Sequence, residues 1–357
     1  ALMLVTLAVS AALPNMLAVL AITPLVAVVG RQLPVGQRER DALITTLILG
    51  IVYAANVGGV ASLVGSPSNG IVLLALAKAD LPSTELLTFF RWLAFGVPLS
   101  LVFILGAWAR LARIRRGSLV HRFDRVDWPA VEAKNDLKVG AGYVLLVTSA
   151  GLGLAVVSPL IEARFSPMTA NLVLVAVGGA LGLIPLFIRL PDRRERLIRL
   201  SDLVSGIPLK GALLAALAVG VAVALDQLGL VEAAGAWLHR ALPKPEPALV
   251  IVLSVFGTIF LSEFVSNIAT AAALWPIVAA MLKETPDQAF LAFLGIGLAC
   301  NCAFMSPLAT PASGMAFGAV SGVSLRSMIG VGFLVDVWMG GLISGSLLTW
   351  IPWVLGL

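Results

Sequence analysis

The sequence predicts an all-α polytopic membrane protein made of two inverted repeats, each with one re-entrant hairpin and one discontinuous helix. Three observations support this fold class. The 357 residues are 59% hydrophobic and only 12% charged, with a mean hydropathy of +1.02, whereas soluble domains are about 25% charged. Long apolar stretches recur along the whole chain. Two short polar motifs each occur twice inside apolar sequence.

The hairpins are predicted where a Ser/Asn motif interrupts an apolar stretch. Stretch 1–29 contains Ser10 to Asn15, and stretch 247–281 contains Ser262 to Asn267, at a constant offset of 252 residues. Non-helical backbone at membrane depth is tolerated only where it is buried in protein or lines a cavity. We therefore expect two re-entrant hairpins, each with its polar motif at the tip.

Seven further apolar stretches are long enough to cross a bilayer, which takes about 20 residues. Two of them, 41–78 and 286–321, contain the second repeated motif, Gly65 to Ile71 and Ala309 to Met315, at an offset of 244 residues. Because proline does not continue a helix, each of these two is predicted to be discontinuous. The other crossings are expected at 89–113, 138–158, 170–189, 208–225 and 327–355.

The basic residues orient this layout. If the crossings alternate, 18 of the 24 Lys and Arg residues fall on one side, in connections 30–40, 110–138, 189–210 and 322–327. The positive-inside rule makes that side cytoplasmic, as expected for a multi-pass protein of a bacterial inner membrane. Juxtamembrane arginines attract anionic lipid, which explains the pI of about 9.6 without a nucleic-acid partner.

The repeated motifs are chemically suited to ions. At a hairpin tip, a Ser hydroxyl, an Asn amide and free carbonyls can replace the hydration shell of a small cation, and neighbouring helix N-termini suit an anion. Interrupted segments at corresponding positions of two halves indicate the binding site of a secondary transporter. Neutral oxygens favour Na⁺ over a proton relay. Glu263 is expected to orient the second hairpin through hydrogen bonds, and Asp336 is a candidate for proton coupling.

The motifs resemble those of the divalent anion/sodium symporter (DASS) family of the ion-transporter superfamily. The similar segments are Gly58 to Pro67, Ser262 to Pro276 and Cys302 to Pro311, and the resemblance extends from the first hairpin to the last crossing. It implies Na⁺-coupled symport of a divalent anion, with a di- or tricarboxylate before sulfate. It also implies a homodimer whose transport domain slides against a scaffold domain like an elevator.

The resemblance implies particular site residues. The first Na⁺ site would use Ser10, the Pro14 carbonyl, Asn15 and Gly65. The second would use Ser262, the Val265 carbonyl, Asn267, Ala309 and Pro311. The anion would lie between the tips, near Asn15, Ser66, Pro67, Ser266, Asn267, Thr310 and Pro311. Met16 and Ile268 stand where the family has hydroxyl residues, which would make the cavity more apolar.

The expected domains follow the repeats. Residues 1–88 would form the transport domain of the first repeat, and 89–137 a connecting helix with a basic cytoplasmic segment. Residues 138–245 would form the scaffold helices of the second repeat, 246–325 its transport domain, and 326–357 the last transmembrane helix. Because the chain begins inside a hairpin arm, we expect the scaffold helices of the first repeat to precede it in an intact protein.

Two other functions stay open at this point. An exporter of arsenite or another anion, from the same superfamily, would show a proton dependence centred on Asp336. A non-transporting membrane scaffold or receptor that has lost its substrate site would bind ligand without flux. A membrane enzyme is not expected, because the membrane segments of the sequence contain no HExxH motif, Cys/His cluster or Ser/His/Asp arrangement.

Overall fold

The computed structural model describes two compact units, residues 1–126 with 209–357 and residues 127–208. The continuous described stretches are 2–12, 36–63, 65–79, 81–114, 246–265, 267–320 and 322–357, with shorter pieces within 15–26, 139–150, 184–197 and 228–233. The described part of the smaller unit contains a short 3₁₀ helix, Ile184–Leu186, and an isolated antiparallel bridge between Arg189 and Arg196. The predicted crossings 138–158, 170–189 and 208–225 lie largely outside the described residues.

The described residues of the larger unit form helices joined by turns and loops, and they contain no strand. A 3₁₀ helix, Pro82–Leu86, precedes the fourth α-helix. The α-helices are α1 Leu2–Ala12, α2 Gln37–Ala61, α3 Pro67–Ala79, α4 Phe89–Ile114, α5 Pro247–Ser262, α6 Asn267–Met281, α7 Pro286–Ala299, α8 Pro311–Ala319, α9 Leu325–Leu348 and α10 Trp350–Leu355. Of these, α2, α4 and α9 are long and apolar enough to span a membrane.

Both predicted interruptions of long helices are present. Helix α2 ends before the Gly65–Pro67 motif and α3 begins at Pro67, while α7 ends at Ala299 and α8 begins at Pro311. Proline is favoured in the first turn of a helix because its missing N–H would have no partner there. Helix α2 has 25 residues and is long enough to span a membrane alone, so the first interrupted segment is not two half-length helices.

The two Ser/Asn motifs also interrupt helical structure. In the second repeat, α5 ends at Ser262, α6 begins at Asn267, and the two helices pack against each other. In the first repeat, α1 ends at Ala12, and the described residues between 15 and 26 are again helical.

The last predicted crossing, 327–355, contains one helix long and apolar enough to span a membrane, α9, followed by the short helix α10. Helix α9 ends at Leu348 and α10 begins at Trp350. The cause is Pro352, which donates no backbone hydrogen bond and whose ring would clash with the Leu348 carbonyl, four residues earlier, in a continuous helix. Gly356, with φ of 81°, ends α10 in the left-handed conformation.

The helices of the two repeats pack crosswise. Helix α3 packs on α6 and α7, and α8 packs on α2. At the centre, the ring of Phe304, between α7 and α8, lies 5.1 Å from Tyr53 and 5.2 Å from Phe103, centroid to centroid. All three side chains are fully buried. Aromatic pairs at these separations add stabilisation beyond their buried area, so this cluster fixes the second interruption against α2 and α4.

Candidate functional site

The first polar cluster forms where the end of α1 meets the end of α2. Ser10 is fully buried, and its hydroxyl donates to the Ala55 carbonyl at 2.6 Å. One end of the Asn15 amide lies 3.0 Å from Ser10 Oγ, 3.0 Å from the Gly65 carbonyl and 3.1 Å from the Ala55 carbonyl. The structure therefore brings Ser10, Asn15 and Gly65 together, as the sequence predicted.

The Asn15 amide satisfies the hydrogen bonds of this cluster in only one of its two orientations. With its nitrogen in the cluster, it donates to Ser10 Oγ and to the carbonyls of Gly65 and Ala55. With its oxygen there, four oxygens face one another and share only the Ser10 proton. A cation would balance that second arrangement, because hard cations bind carbonyl, amide and hydroxyl oxygens.

Three glycines allow the backbones to approach this closely. A Cβ atom on Gly58 would lie only 2.5 Å from Ser10 Cβ, and one on Gly65 would lie 2.8 Å from the Gly58 carbonyl and 3.1 Å from the Ser10 carbonyl. A Cβ on Gly59 would lie 2.9 Å from Ser66 Cβ and 3.3 Å from Asn15 Oδ1. Glycine is required where another backbone must come this near, so these residues shape the site as well as the turn.

The second polar cluster lies between the start of α6 and the end of α7. The Asn267 amide nitrogen donates to the Cys300 carbonyl, and Cys300 Sγ lies 3.3 Å from the Asn267 carbonyl. Asn267 Oδ1 is buried without a partner among the described residues. Ser262 instead donates to Ile259 within its own helix, at 2.9 Å. A buried acceptor left without a donor costs about 1–3 kcal/mol, and a cation would supply the missing partner.

Glu263 connects the second tip to the interruption between α7 and α8. Its carboxylate oxygens accept hydrogen bonds from the backbone N–H groups of Met305 and Ser306, each at 2.7 Å, and the side chain is 2% exposed. This is the orienting role that the sequence predicted. The carboxylate thereby positions the loop that carries Ala309 and Thr310.

The N-termini of α3 and α8 present the residues expected near an anion. Thr310 caps α8, because its hydroxyl accepts from Ser313 N at 3.0 Å and lies 2.8 Å from Ser313 Oγ. Ser66 precedes α3, and Asn69 N donates to its carbonyl at 3.1 Å. Both residues are buried. The positive end of a helix dipole and its free N–H groups favour negative charge.

Three buried asparagines belong to this region and escaped the sequence analysis. Asn69 donates to the carbonyls of Gly59 and Ser62 at 2.7 and 2.9 Å, and Asn301 Nδ2 donates to Asn69 Oδ1 at 3.1 Å. Asn56 Nδ2 donates to the Ala303 carbonyl at 3.3 Å. Asn56 Oδ1 and Asn301 Oδ1 have no hydrogen-bond partner among the described residues. An asparagine within an apolar helical sequence is the signal by which they could have been identified.

The structure describes the remaining predicted site residues in less detail. Pro14 and Ser266 lie outside the described residues. Pro67 and Pro311 begin α3 and α8, as expected from the motif. Val265 is half-buried at the end of the α5 turn, and Ala309 N donates to the Ser306 carbonyl at 3.3 Å. Across the described residues no group of three His, Cys, Asp or Glu side chains could hold a metal ion.

Interrupted apolar helices from two repeats, each with a polar motif at the interruption, are typical of a multi-pass membrane protein of the transporter class. Comparison with known proteins supports this class. Residues 1–294 match the family model described as citrate transporter, CitMHS, and the chain therefore belongs to that family. It is a family of transporters and not of enzymes.

Curated relatives support the resemblance to the DASS family, which is confirmed. The chain is 25% identical over 309 residues to the sodium-dependent dicarboxylate transporter SdcS of Staphylococcus saprophyticus, covering 82% of this chain and 56% of the relative. It is 24% identical over 356 residues to human Na(+)/dicarboxylate cotransporter 3, covering 89% of this chain and 58% of the relative. The chain thus spans somewhat more than half the length of these relatives.

Proposed function

We propose that this protein couples the movement of Na⁺ to that of a divalent anion, with a di- or tricarboxylate preferred over sulfate. The observation that carries the proposal is the cluster of Ser10, Asn15, Ala55 and Gly65, where the Ser10 hydroxyl, one end of the Asn15 amide and two backbone carbonyls lie 2.6 to 3.1 Å from one another in bonded pairs. These ligands are neutral, so the cluster attracts a small cation without titrating. The names of the relatives, which include a sodium-dependent dicarboxylate transporter, support the same chemistry.

The geometry also supplies a reason for coupling. Asn15 Oδ1 and Ser66 Cβ both lie within 3.3 Å of the position that a Cβ on Gly59 would occupy, so the oxygen cluster and the N-terminus of α3 are neighbours. A cation held by Asn15 would add positive charge beside the helix end that receives the carboxylate. By reciprocity of binding free energies, the anion would strengthen cation binding by the same factor.

The second set of residues would work in the same way. Asn267, with its unpartnered Oδ1, would join Ser262, the Val265 carbonyl, Ala309 and Pro311 around a second Na⁺. The anion would lie between the tips, near Asn15, Ser66, Pro67, Ser266, Asn267, Thr310 and Pro311. The apolar side chains of Met16 and Ile268 would favour a carboxylate with some hydrocarbon surface over sulfate.

The movement would be of the elevator type, with re-entrant hairpins as the moving tips. In this proposal residues 1–88 and 246–325 form the transport domain and 138–245 belong to the scaffold. Residues 89–137 and 326–357 connect and flank them, and the assembly is a homodimer. The crosswise packing of α3 on α7 and of α8 on α2 supports the idea that the two interrupted helices move as one body.

The test is uptake by the full-length protein in proteoliposomes, with labelled citrate or succinate outside and Na⁺ or choline as the cation. Wild type should accumulate anion only with Na⁺. Asn15→Ala should lose that uptake, whereas Thr46→Ala should retain it, because the Thr46 hydroxyl only bonds within α2 to the Ala42 carbonyl, at 2.8 Å. Equal uptake by wild type and Asn15→Ala would remove Asn15 from the cation site. Uptake independent of Na⁺ in wild type would end the proposal.

One observation favours a second candidate, an anion exporter driven by protons. Asp336 on α9 is fully buried, and its carboxyl group lies near that of Glu263 and near the backbone of Phe304. Transport that follows a pH gradient, persists in choline and disappears in Asp336→Asn would select this candidate. Anion binding without flux under both gradients would instead select the scaffold or receptor.

A further inference from the structure

A groove with two arginines lies between α4 and α9, away from the polar clusters. Its cavity has a volume of about 370 Å³. The lining includes Arg110 and Arg113 in the last turns of α4, and the apolar residues Gly106, Ala107, Leu334 and Trp338. No carboxylate belongs to the described lining. We refer to this cavity as the arginine groove.

The charge in the arginine groove has no partner among the described side chains. Arg110 Nε is buried and makes no hydrogen bond, although a guanidinium carries five N–H donors and cannot lose its charge in a protein. A buried donor without an acceptor is costly, and more so when it is charged. The guanidinium fork matches phosphate and carboxylate oxygens. The groove is therefore suited to an anion.

The other walls of the groove are apolar, and α4 and α9 expose further apolar side chains beside it. Helices α4 and α9 are both long enough to span the membrane. Their exposed residues include Leu105 at 62% and Trp108 at 58% on α4, and Leu334 at 44% and Trp338 at 45% on α9. Exposed apolar faces on spanning helices are lipid-facing surfaces. An occupant of this groove meets hydrocarbon on one side and two cations on the other.

A glycine brings the two helices close enough to form the groove. A Cβ on Gly106 would lie 2.5 Å from Trp338 Nε1, so only glycine lets the indole ring lie against the α4 backbone. The ring then forms a flat wall one turn from Arg110. Tryptophan is favoured where apolar and polar regions of a membrane meet, which agrees with a headgroup at the arginine end.

We propose that the arginine groove binds one anionic phospholipid, with its phosphate on Arg110 and Arg113 and an acyl chain along Leu334 and Trp338. Charge complementarity selects an anion, and the apolar walls select a lipid over a free anion. The site is separate from Asn15 and Asn267, so it does not depend on the proposed transport. Binding in this groove is also more specific than the general attraction of juxtamembrane arginines for an anionic surface, because the lipid would occupy one pocket and contact two particular arginines.

The test measures the thermal unfolding midpoint of the purified full-length protein in neutral detergent with added lipid. Phosphatidylglycerol should raise the midpoint of wild type by roughly 3 °C, since a ligand that binds only the folded state stabilises it. Phosphatidylcholine should have a much smaller effect. Arg110→Gln/Arg113→Gln should lose the response to phosphatidylglycerol. Arg91→Gln is the matched control, because Arg91 lies at the other end of α4 and bonds the Leu86 carbonyl at 3.2 Å.

Several results would overturn the proposal. An equal shift with both lipids would show that charge is not recognised, and an unchanged response in the double variant would show that these arginines are not the site. Inorganic phosphate alone, if it matched the lipid, would assign the groove to a free anion. If the double variant does not fold, the single variants Arg110→Gln and Arg113→Gln take its place, and at least one must respond less than Arg91→Gln.

Discussion

Replacing Gly58 by alanine tests the close approach that shapes the first polar cluster. In the structure a Cβ on Gly58 would lie 2.5 Å from Ser10 Cβ and 2.9 Å from both the Ser10 carbonyl carbon and Oγ. Side-chain carbon atoms in contact are normally about 3.5–4.0 Å apart. Ser10 cannot simply turn away, because its hydroxyl is held by the Ala55 carbonyl at 2.6 Å. Helices α1 and α2 must therefore separate.

The magnitude follows from two opposing effects. Overpacking a buried site costs about 1–3 kcal/mol, whereas an alanine in a helix gains about 0.5–1 kcal/mol over glycine. Since the clash involves backbone as well as side-chain atoms, we expect a net loss of about 1–2 kcal/mol in the free energy of unfolding. Displacement of Ser10 and Asn15 should also weaken any stabilisation of the protein by Na⁺.

The assay is denaturant unfolding of the full-length protein in mild detergent, followed by tryptophan fluorescence, in Na⁺ and in choline. Gly257→Ala in α5 is the matched control, because a Cβ there meets nothing within 4 Å, and it should be neutral or stabilising. The reasoning is refuted if Gly58→Ala unfolds at the same denaturant concentration as Gly257→Ala in both salts.

Two further variants probe the contacts between the repeats. Asn301→Ala should lower the free energy of unfolding by about 1–3 kcal/mol, because Asn69 Oδ1 would lose its buried donor; an unchanged unfolding midpoint would contradict this. Glu263→Gln should cost about 1–3 kcal/mol, since an amide offers one oxygen to two backbone donors. The exposed Glu284→Gln is its control, and equal midpoints for these two glutamine variants would show that the Glu263 contacts contribute little.

The helix interruptions could be predicted from sequence because their causes are local. Proline removes a backbone donor and clashes with the preceding turn. Pro67 and Pro311 therefore indicate helix interruptions regardless of what the helices pack against. Pro352 carries the same signal and marks the end of α9, which the length of the apolar stretch alone does not indicate. The crossings 138–158, 170–189 and 208–225 stay predictions, as do the hairpin insertion and the domain boundaries.

Only part of the site could be predicted, because some of its groups are marked by a sequence motif and others are not. Ser10 and Asn15 are side chains in a repeated motif, and a motif can be recognised. The Ala55 carbonyl, by contrast, is a group that every residue carries, so only folding distinguishes it. Asn69 and Asn301 are 232 residues apart, and nothing in their local sequence indicates that one will find the other.

The bond between Asn69 and Asn301 sets an order for the biogenesis of the protein. A ribosome that adds about 5–20 residues per second needs roughly 12–46 s to make the 232 residues between them. During that interval the first repeat is already made, but its buried amide lacks its final partner, and α3 lacks α7. The first half must therefore wait, incompletely packed, in the insertion machinery or the bilayer. Synthesis of the second half, and not of the first, completes the folding of both.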